Sequence, residues 1–249
     1  MPLRTLVILP TYNERDNLPR LLEAILKIGP GLDALVVDDN SPDGTGDQAD
    51  ELASRDSRIK VLHRAGKQGL GRAYVAGFDY ALRHAYEYVI EMDADFSHRP
   101  EDLPALLSAA AHADVVIGSR NIPGGTTIGW SRVRRFVSRG GSLYTRMILR
   151  LPIKDCTSGF KCLSRSALGH LDLEQLLSNG YAFQVEVSHA LHQAGLRFAE
   201  VPITFPERVA GRSKMTPGIM FEAAILVIRL RLGLARPALA PKALAQKAS

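Results

Sequence analysis

The sequence predicts an α/β protein: a Rossmann-like, mostly parallel, doubly wound sheet flanked by helices. Two patterns carry that expectation. Short apolar runs alternate with segments of helical periodicity five times within about 120 residues, the pattern of βαβ units. The acidic and polar motifs sit just after the apolar runs, at the carboxyl ends of strands, where ligands bind in such sheets. The length of 249 residues and the ordinary composition suit one sizeable domain with an appendage.

The elements follow in chain order. "TLVILP" (5 to 10) is a buried strand. Leu18, Leu21, Leu22, Ile25 and Leu26 then keep the i, i+3, i+4 spacing of an amphipathic helix, with Asn13 or Asp16 as its N-cap. "DALVVDD" (33 to 39) is the second strand and "GTGDQADELASR" a helix. "IKVLHR" is the third strand, "GRAYVAGFDYALRHAY" a helix and "EYVIEMD" the fourth strand. "PEDLPALLSAA" opens with the proline favoured at a helix start, and "ADVVIGSR" is the fifth strand.

After Arg120 the pattern loosens. "NIPGGTTIGW" is a loop and "SRVRRFVSRGGSLYTRMILRL" a basic helix. "DCTSGFKCLSR" is a loop with a short strand, "FQVEVSHALHQAG" a helix and "RFAEVPITF" a strand. "PERVAGRSKMT" is a basic loop before a helix from Pro217. Residues 1–216 are therefore expected as the main α/β domain, 217–236 as an amphipathic helix, and the Ala/Pro/Lys-rich 237–249 as a disordered tail.

The net charge of +5 points to an anionic partner: a phosphate substrate, nucleic acid or an acidic membrane surface. Aromatic residues make up only 6% and none sits in the basic loop, which argues against nucleic acid. Cys156 and Cys162 have no zinc-type spacing and form no disulfide framework, so both read as reduced and structural. The N-terminus enters a strand at once, unlike a signal peptide, and no stretch reaches the ~20 apolar residues of a membrane span. A cytoplasmic protein that touches a membrane fits these features.

The chemistry gathers at the strand ends. Asp93 and Asp95 stand one residue apart after the fourth strand. Two such carboxylates repel unless a cation neutralises them, and a hard cation such as Mg²⁺ shared with a substrate diphosphate would do so. A solvated turn with helix-capping Asp residues is the plain alternative, and the strand-end position favours the metal. Asp38 and Asp39 close the second strand, where a carboxylate can accept from a base edge or ribose hydroxyls. "GTGDQA" lacks the acidic residue of a dinucleotide site about 20 positions on, and "GKQGLGRA" lacks the P-loop ending. Arg120, then Arg132, Arg134, Arg135 and Arg139, then Arg208, Arg212 and Lys214 form three basic groups suited to phosphate. Arg132 and Arg146 read better as a solvated face. In the last helix Glu222, Arg229 and Arg236 share one face beside Ile219, Leu226 and Leu230. That helix lies either in a membrane interface or against the domain or a second subunit.

The motifs "PTYNE", "VVDDNSPDGT", "GLGRAY", "DADFSH", "GSR", "DCTSGF", "EVPITF" and "RVAGRSKM" occur in this order over residues 6 to 215. As a set they resemble the polyprenol (dolichol) monophosphate mannose synthases, inverting GT-A-type members of glycosyltransferase family 2. The resemblance implies GDP-mannose as donor, a polyprenyl monophosphate as acceptor, and β-mannosyl phosphoryl polyprenol and GDP as products. UDP-glucose as donor, or a catalytically inactive nucleotide-binding module, are the alternatives. By the same resemblance Pro10, Tyr12, Glu14, Asp38 and Asp39 line the nucleoside pocket. Asp93 and Asp95 hold Mg²⁺ or Mn²⁺ with the Ala94 backbone nearby. Arg120, Arg208 and Lys214 bind donor or acceptor phosphates, with Arg134 and Ser213 as further acceptor contacts. Ser97 stands where many relatives carry a Gln metal ligand. The resemblance also implies a peripheral protein at the cytoplasmic face of a membrane, with a membrane-protein partner or a homo-oligomer as further options.

Overall fold

The computed structural model describes residues 4–176, 178, 180–207, 217–235 and 237–240. β1 (Thr5–Thr11), β2 (Leu32–Asp38), β3 (Ile59–His63) and β4 (Tyr88–Glu91) are parallel and lie in the order β3-β2-β1-β4. Their crossovers carry α1 (Leu18–Leu26), α2 (Thr45–Arg55) and α3 (Leu70–Arg83). β2 and β4 flank β1 on opposite sides, so the winding reverses there. That reversal opens a crevice at the carboxyl ends of β1 and β4, and the motifs "PTYNE" and "DADFSH" fall on its two walls.

Both faces of the sheet are covered, which is why its strands are apolar throughout rather than alternating. Leu18, Leu21, Leu22 and Ile25 of α1 pack on one face, together with Leu103 and Leu106 of α4 (Leu103–Ala110). Tyr74 and Phe78 of α3 pack on the other. α3 comes unusually near the sheet because residue 77 is glycine: a Cβ there would lie 2.7 Å from the Ile8 side chain.

The second half departs from the simple pattern. β5 (Val115–Ser119) does not lie beside β4. β6 (Thr126–Thr127) follows it, and β7 (Lys161–Ser164) inserts antiparallel between β4 and β5. β8 (Phe198–Pro202) completes the seven-stranded sheet, and β9 (Thr204–Phe205) pairs with β6 inside the segment expected as a loop. The register that admits β7 sets Lys161 opposite Glu91, a contact between residues 70 apart in sequence that no local pattern announces.

The remaining helices are α5 (Arg132–Leu149), α6 (Arg165–Gly169), α7 (Gly180–Gln193) and α8 (Pro217–Arg231). α8 packs on α5 and α7 through Val227 and Leu230, and the Tyr144 hydroxyl donates to the Ala224 carbonyl at 3.0 Å.

Two expectations are corrected. Neither Asn13 nor Asp16 caps α1: the cap position is Asn17, whose side chain bonds Glu14 at 2.9 Å instead. The start of the expected disordered tail is ordered. Ala238 and Leu239 are buried, Leu239 bridges to Leu171, and the Ala240 N–H donates to the His170 carbonyl at 2.9 Å. Residues 236 and 241–249 lie outside the described residues. Cys156 and Cys162 are free and buried, as expected.

Candidate active site

β4 ends in the central wall of the crevice, and the turn after it locks on itself. The Asp93 N–H donates to Nδ1 of His98 at 2.9 Å. Oδ1 of Asp95 accepts from the Ser97 N–H at 3.0 Å and from the Ser97 hydroxyl at 2.5 Å. Phe96 takes a left-handed φ of 59° to let the chain fold back. Such a conformation is uncommon for a bulky side chain and persists only where its surroundings enforce it. His98 supplies part of that enforcement. It is buried, stacked on Phe160 at 4.8 Å and met edge-on by Phe205 at 5.3 Å. The Tyr74 hydroxyl reaches Oδ1 of Asp93 at 3.4 Å. Burial and the nearby carboxylates hold the Tyr74 pKa well above its ordinary value, so that hydroxyl keeps its proton.

Below this turn lies a buried polar network. Nε2 of Gln184 donates to Glu91 at 2.5 Å, and the Lys161 ammonium donates to the Gln184 carbonyl at 3.0 Å and to its side-chain oxygen. Burial pushes the Glu91 carboxyl up to about 7 against the pull of Lys161, and burial lowers the Lys161 pKa. The network ties β4, β7 and α7 together two residues upstream of Asp93.

The other wall is built from "PTYNE" and "DDNSPDGT". Pro10 and Tyr12 are half-buried at the end of β1, and the Lys67 ammonium lies 3.9 Å from the centre of the Tyr12 ring. Glu14 accepts from Asn17, and its N–H donates to the Thr45 hydroxyl at 3.0 Å. Asp38 is more structural than its strand-end position suggested. Oδ1 accepts from the hydroxyls of Thr11 and Ser41, at 2.9 and 2.5 Å, and Oδ2 from the Ser41 N–H at 2.9 Å. The carboxylate therefore organises the turn that follows β2. Asp39 pairs with Arg64 at 2.6 Å. Burial raises its pKa, with Arg64 pulling the other way.

The basic residues are redistributed. Arg120 was expected to grip phosphate. Its guanidinium is buried and donates to both oxygens of Asp155, at 2.8 and 2.7 Å, and to the Thr157 hydroxyl at 3.0 Å. Most of its donors thus hold the "DCTSGF" segment, which spares a buried charge the cost of being unpaired. Arg134 is also engaged, 3.9 Å over the Trp130 ring and 3.2 Å from Glu207. Arg120 still lines a small polar cavity of about 40 Å³ with Trp130, Arg135, Ser138 and Arg139. Arg208, Arg212, Ser213 and Lys214 lie outside the described residues.

The donor set fits a hard divalent cation. Asp93 and Asp95 offer oxygen only, from two carboxylates on one turn. No group of three His, Cys, Asp or Glu among the described residues could hold an ion by itself. Oxygen ligands from outside the protein would complete the shell, the usual arrangement for Mg²⁺. Ser97 acts on this place through Asp95, to which its hydroxyl is bonded. Tyr74, His98, Arg64, Lys67 and Asp155 were not singled out from sequence. His98 stood inside "DADFSH", but nothing local distinguishes a ring that takes a backbone N–H from a surface histidine.

The family model for glycosyl transferase family 2 matches residues 6–172. The chain belongs to that family. Strands β1 (from Leu6) to β5, the wall built from "PTYNE" and "DDNSPDGT" and the carboxylate turn all fall inside the matched span. Among its relatives, an undecaprenyl-phosphate mannosyltransferase of Micrococcus luteus is 48% identical over 91% of this chain and 93% of its own. A polyprenol monophosphomannose synthase of Mycolicibacterium smegmatis is 48% identical over 94% of this chain and 90% of its own. Among solved structures, glucosyl-3-phosphoglycerate synthase from Mycobacterium tuberculosis, in complex with Mn²⁺, UDP-glucose and glycerol 3-phosphate, superposes with a TM-score of 0.64 at 20% identity. It covers 92% of this chain and 80% of that one. A mannosyltransferase from Pyrobaculum calidifontis in complex with GDP-Man and Mn²⁺ gives a TM-score of 0.55 at 18% identity, over 98% of this chain and 78% of that one. These structural likenesses establish the shared fold of this family 2 glycosyltransferase.

Proposed function

We propose that this family 2 enzyme transfers mannose from GDP-mannose to a polyprenyl monophosphate, with inversion, giving β-mannosyl phosphoryl polyprenol and GDP. The carrying observation is the carboxylate turn of Asp93 and Asp95 at the switch point of the sheet, in a chain 48% identical to two transferases named for polyprenyl phosphate and mannose.

Asp93 and Asp95 would hold Mg²⁺ or Mn²⁺ beside the donor diphosphate. When bound, that ion neutralises charge developing on the leaving nucleotide. The protein's part is positional. Tyr74, His98 and Ser97 fix the two carboxylates before substrate arrives, so little reorganisation remains at the moment of reaction. Tyr12, Glu14 and Asp39, with Ala94 at the turn, border the pocket for the nucleoside, and Asp38 shapes it. The acceptor needs little base assistance, because a phosphate monoester has a second pKa of about 6 and is already anionic at neutral pH. Its oxygen forms the new bond to the anomeric carbon as the bond from that carbon to the diphosphate oxygen breaks. The bonding electrons leave with GDP. Two anions must approach each other, so cations have to line the acceptor side. The cavity bordered by Arg120, Arg135 and Arg139 supports that reading. Arg208, Ser213 and Lys214 enter it through the family resemblance alone.

The test is incubation with labelled GDP-mannose, Mg²⁺ or Mn²⁺ and a short polyprenyl phosphate, followed by extraction of product into organic solvent. Label should appear in the organic phase, and Asp93→Asn should abolish the transfer. Near-normal turnover in that variant defeats the metal assignment. Transfer from UDP-glucose in preference to GDP-mannose defeats the donor assignment.

A further inference from the structure

Trp130 is the only tryptophan in the chain, and it is 5% exposed. Its surroundings are cationic. The Arg134 guanidinium lies 3.9 Å from the ring centre and that of Arg120 5.5 Å away. The Phe205 ring stands at 80° to it, 5.4 Å off, and Arg135 donates to the Trp130 carbonyl at 3.0 Å. The ring is thus held from several sides, yet its Nε1–H is shut off from solvent and has no hydrogen-bond partner. The hydroxyl of Thr127, in β6, is buried and unpartnered in the same way.

Two such groups three residues apart need a cause. A buried donor left unmet costs stability, and nearly all such groups in folded proteins are paired. The arginines around Trp130 cannot help, because a guanidinium only donates. What both groups can use is an acceptor from outside the protein. Trp130 and Thr127 line the small polar cavity shared with Arg120, Arg135 and Arg139, and no carboxylate lines it. Its volume of about 40 Å³ has room for roughly three water-sized atoms. That suits one phosphoryl group and is too little for two.

We infer that Trp130 is a specificity-determining residue of the acceptor site: its indole N–H, together with the Thr127 hydroxyl, donates to the terminal oxygens of a phosphate monoester held beside Arg135 and Arg139. The identity of that ester as a prenyl monophosphate rests on the proposed function. The arginines supply charge, which any anion would satisfy. The two neutral donors supply selection. An indole N–H can only donate, and a phosphate monoester presents several acceptor oxygens and few protons at neutral pH. A prenyl diphosphate would have to leave one phosphoryl group outside the cavity. Donors that lie behind the cavity wall before binding fit a site whose hydrogen bonds tighten only when the ligand arrives.

The single tryptophan makes the contact directly readable by fluorescence. Titration of the full chain with a short prenyl monophosphate should shift the emission saturably, and the corresponding diphosphate should bind at least about tenfold more weakly. Trp130→Phe keeps an aromatic ring for Arg134 and deletes the N–H. Its Kd for the monophosphate, by calorimetry, should rise at least about tenfold, the loss expected for a hydrogen bond to a charged group. KM for the acceptor should rise with it. GDP binding and thermal unfolding without ligand should change little, because no partner inside the protein is lost. Thr127→Val should behave alike, and it carries the comparison if Trp130→Phe fails to fold.

An unchanged Kd in both variants overturns the inference, whether or not the proposed transfer takes place. So does a variant that loses stability but not affinity, since the donor would then be bonded within the protein or to a trapped water. Inorganic phosphate that binds as tightly as the prenyl ester makes the cavity a free-anion site and also overturns it. Equal binding of monophosphate and diphosphate removes the selection. A wild type that binds the monophosphate through Trp130 but transfers no sugar to it leaves the contact standing and removes the proposed reaction.

Discussion

His98 accepts the backbone N–H of Asp93 through Nδ1 at 2.9 Å, so the first carboxylate of the candidate metal turn is anchored by an aromatic ring five residues later. An accepting Nδ1 places the ring proton on Nε2. The anchor converts a local sequence feature, two aspartates after a strand, into a preformed geometry.

Replacing His98 with Phe keeps the stack on Phe160 but leaves the Asp93 N–H without that acceptor. An unmet buried donor costs about 1–3 kcal/mol, so thermal unfolding should shift down accordingly. Mn²⁺-dependent binding of GDP, followed by calorimetry, should weaken as well, while metal-free GDP binding changes little. Wild-type behaviour in both measurements would mean that other contacts hold the turn.

Arg120 and Asp155 make a second testable pair. Burial alone pushes the Asp155 carboxyl up, but the charge and hydrogen bonds of Arg120 outweigh it and hold the pKa below the usual carboxylate value. A group depressed in the folded state contributes stability above its unfolded pKa of about 4 and loses that contribution as pH falls through the folded value. Asp155→Asn strands the Arg120 charge, so it should destabilise the protein by about 3–5 kcal/mol at neutral pH. The gap between variant and wild type should narrow below about pH 4. Denaturant unfolding across that range reads it directly, and a gap independent of pH would contradict the ion-pair account.

The ordered start of the tail gives a third test. Leu239 is buried against the domain and pairs with Leu171. Leu239→Ala should cost about 2–3 kcal/mol, visible as a lower denaturation midpoint. A disordered segment would tolerate the change without effect.

Much of the architecture is legible in the sequence. Strands β1 to β5 and helices α1 to α5 fall within a few residues of where apolar periodicity put them, because burial on both sheet faces writes itself directly into local sequence. The carboxylate turn and the strand-end placement of the motifs were legible for the same reason. The ordered start of the tail was not legible because Ala238 and Leu239 sit among residues whose composition suggests disorder, and two buried side chains hardly alter a compositional average. The Arg120–Asp155 pair was not legible, because sequence shows a cation after a strand and conceals the carboxylate 35 residues later that neutralises it.

By itself, then, the sequence determined the α/β class, the order of its elements and the acidic chemistry at the strand ends, all of which depend on neighbours within a turn or two. The tertiary structure alone decided which side chains keep their donors available. It inserted β7 between β4 and β5, paired Arg120 with Asp155 and bonded His98 to Asp93. Those outcomes depend on groups distant in the chain and brought together by packing. Desolvation requires buried charges and donors to find partners, and which partner is within reach depends on the whole fold.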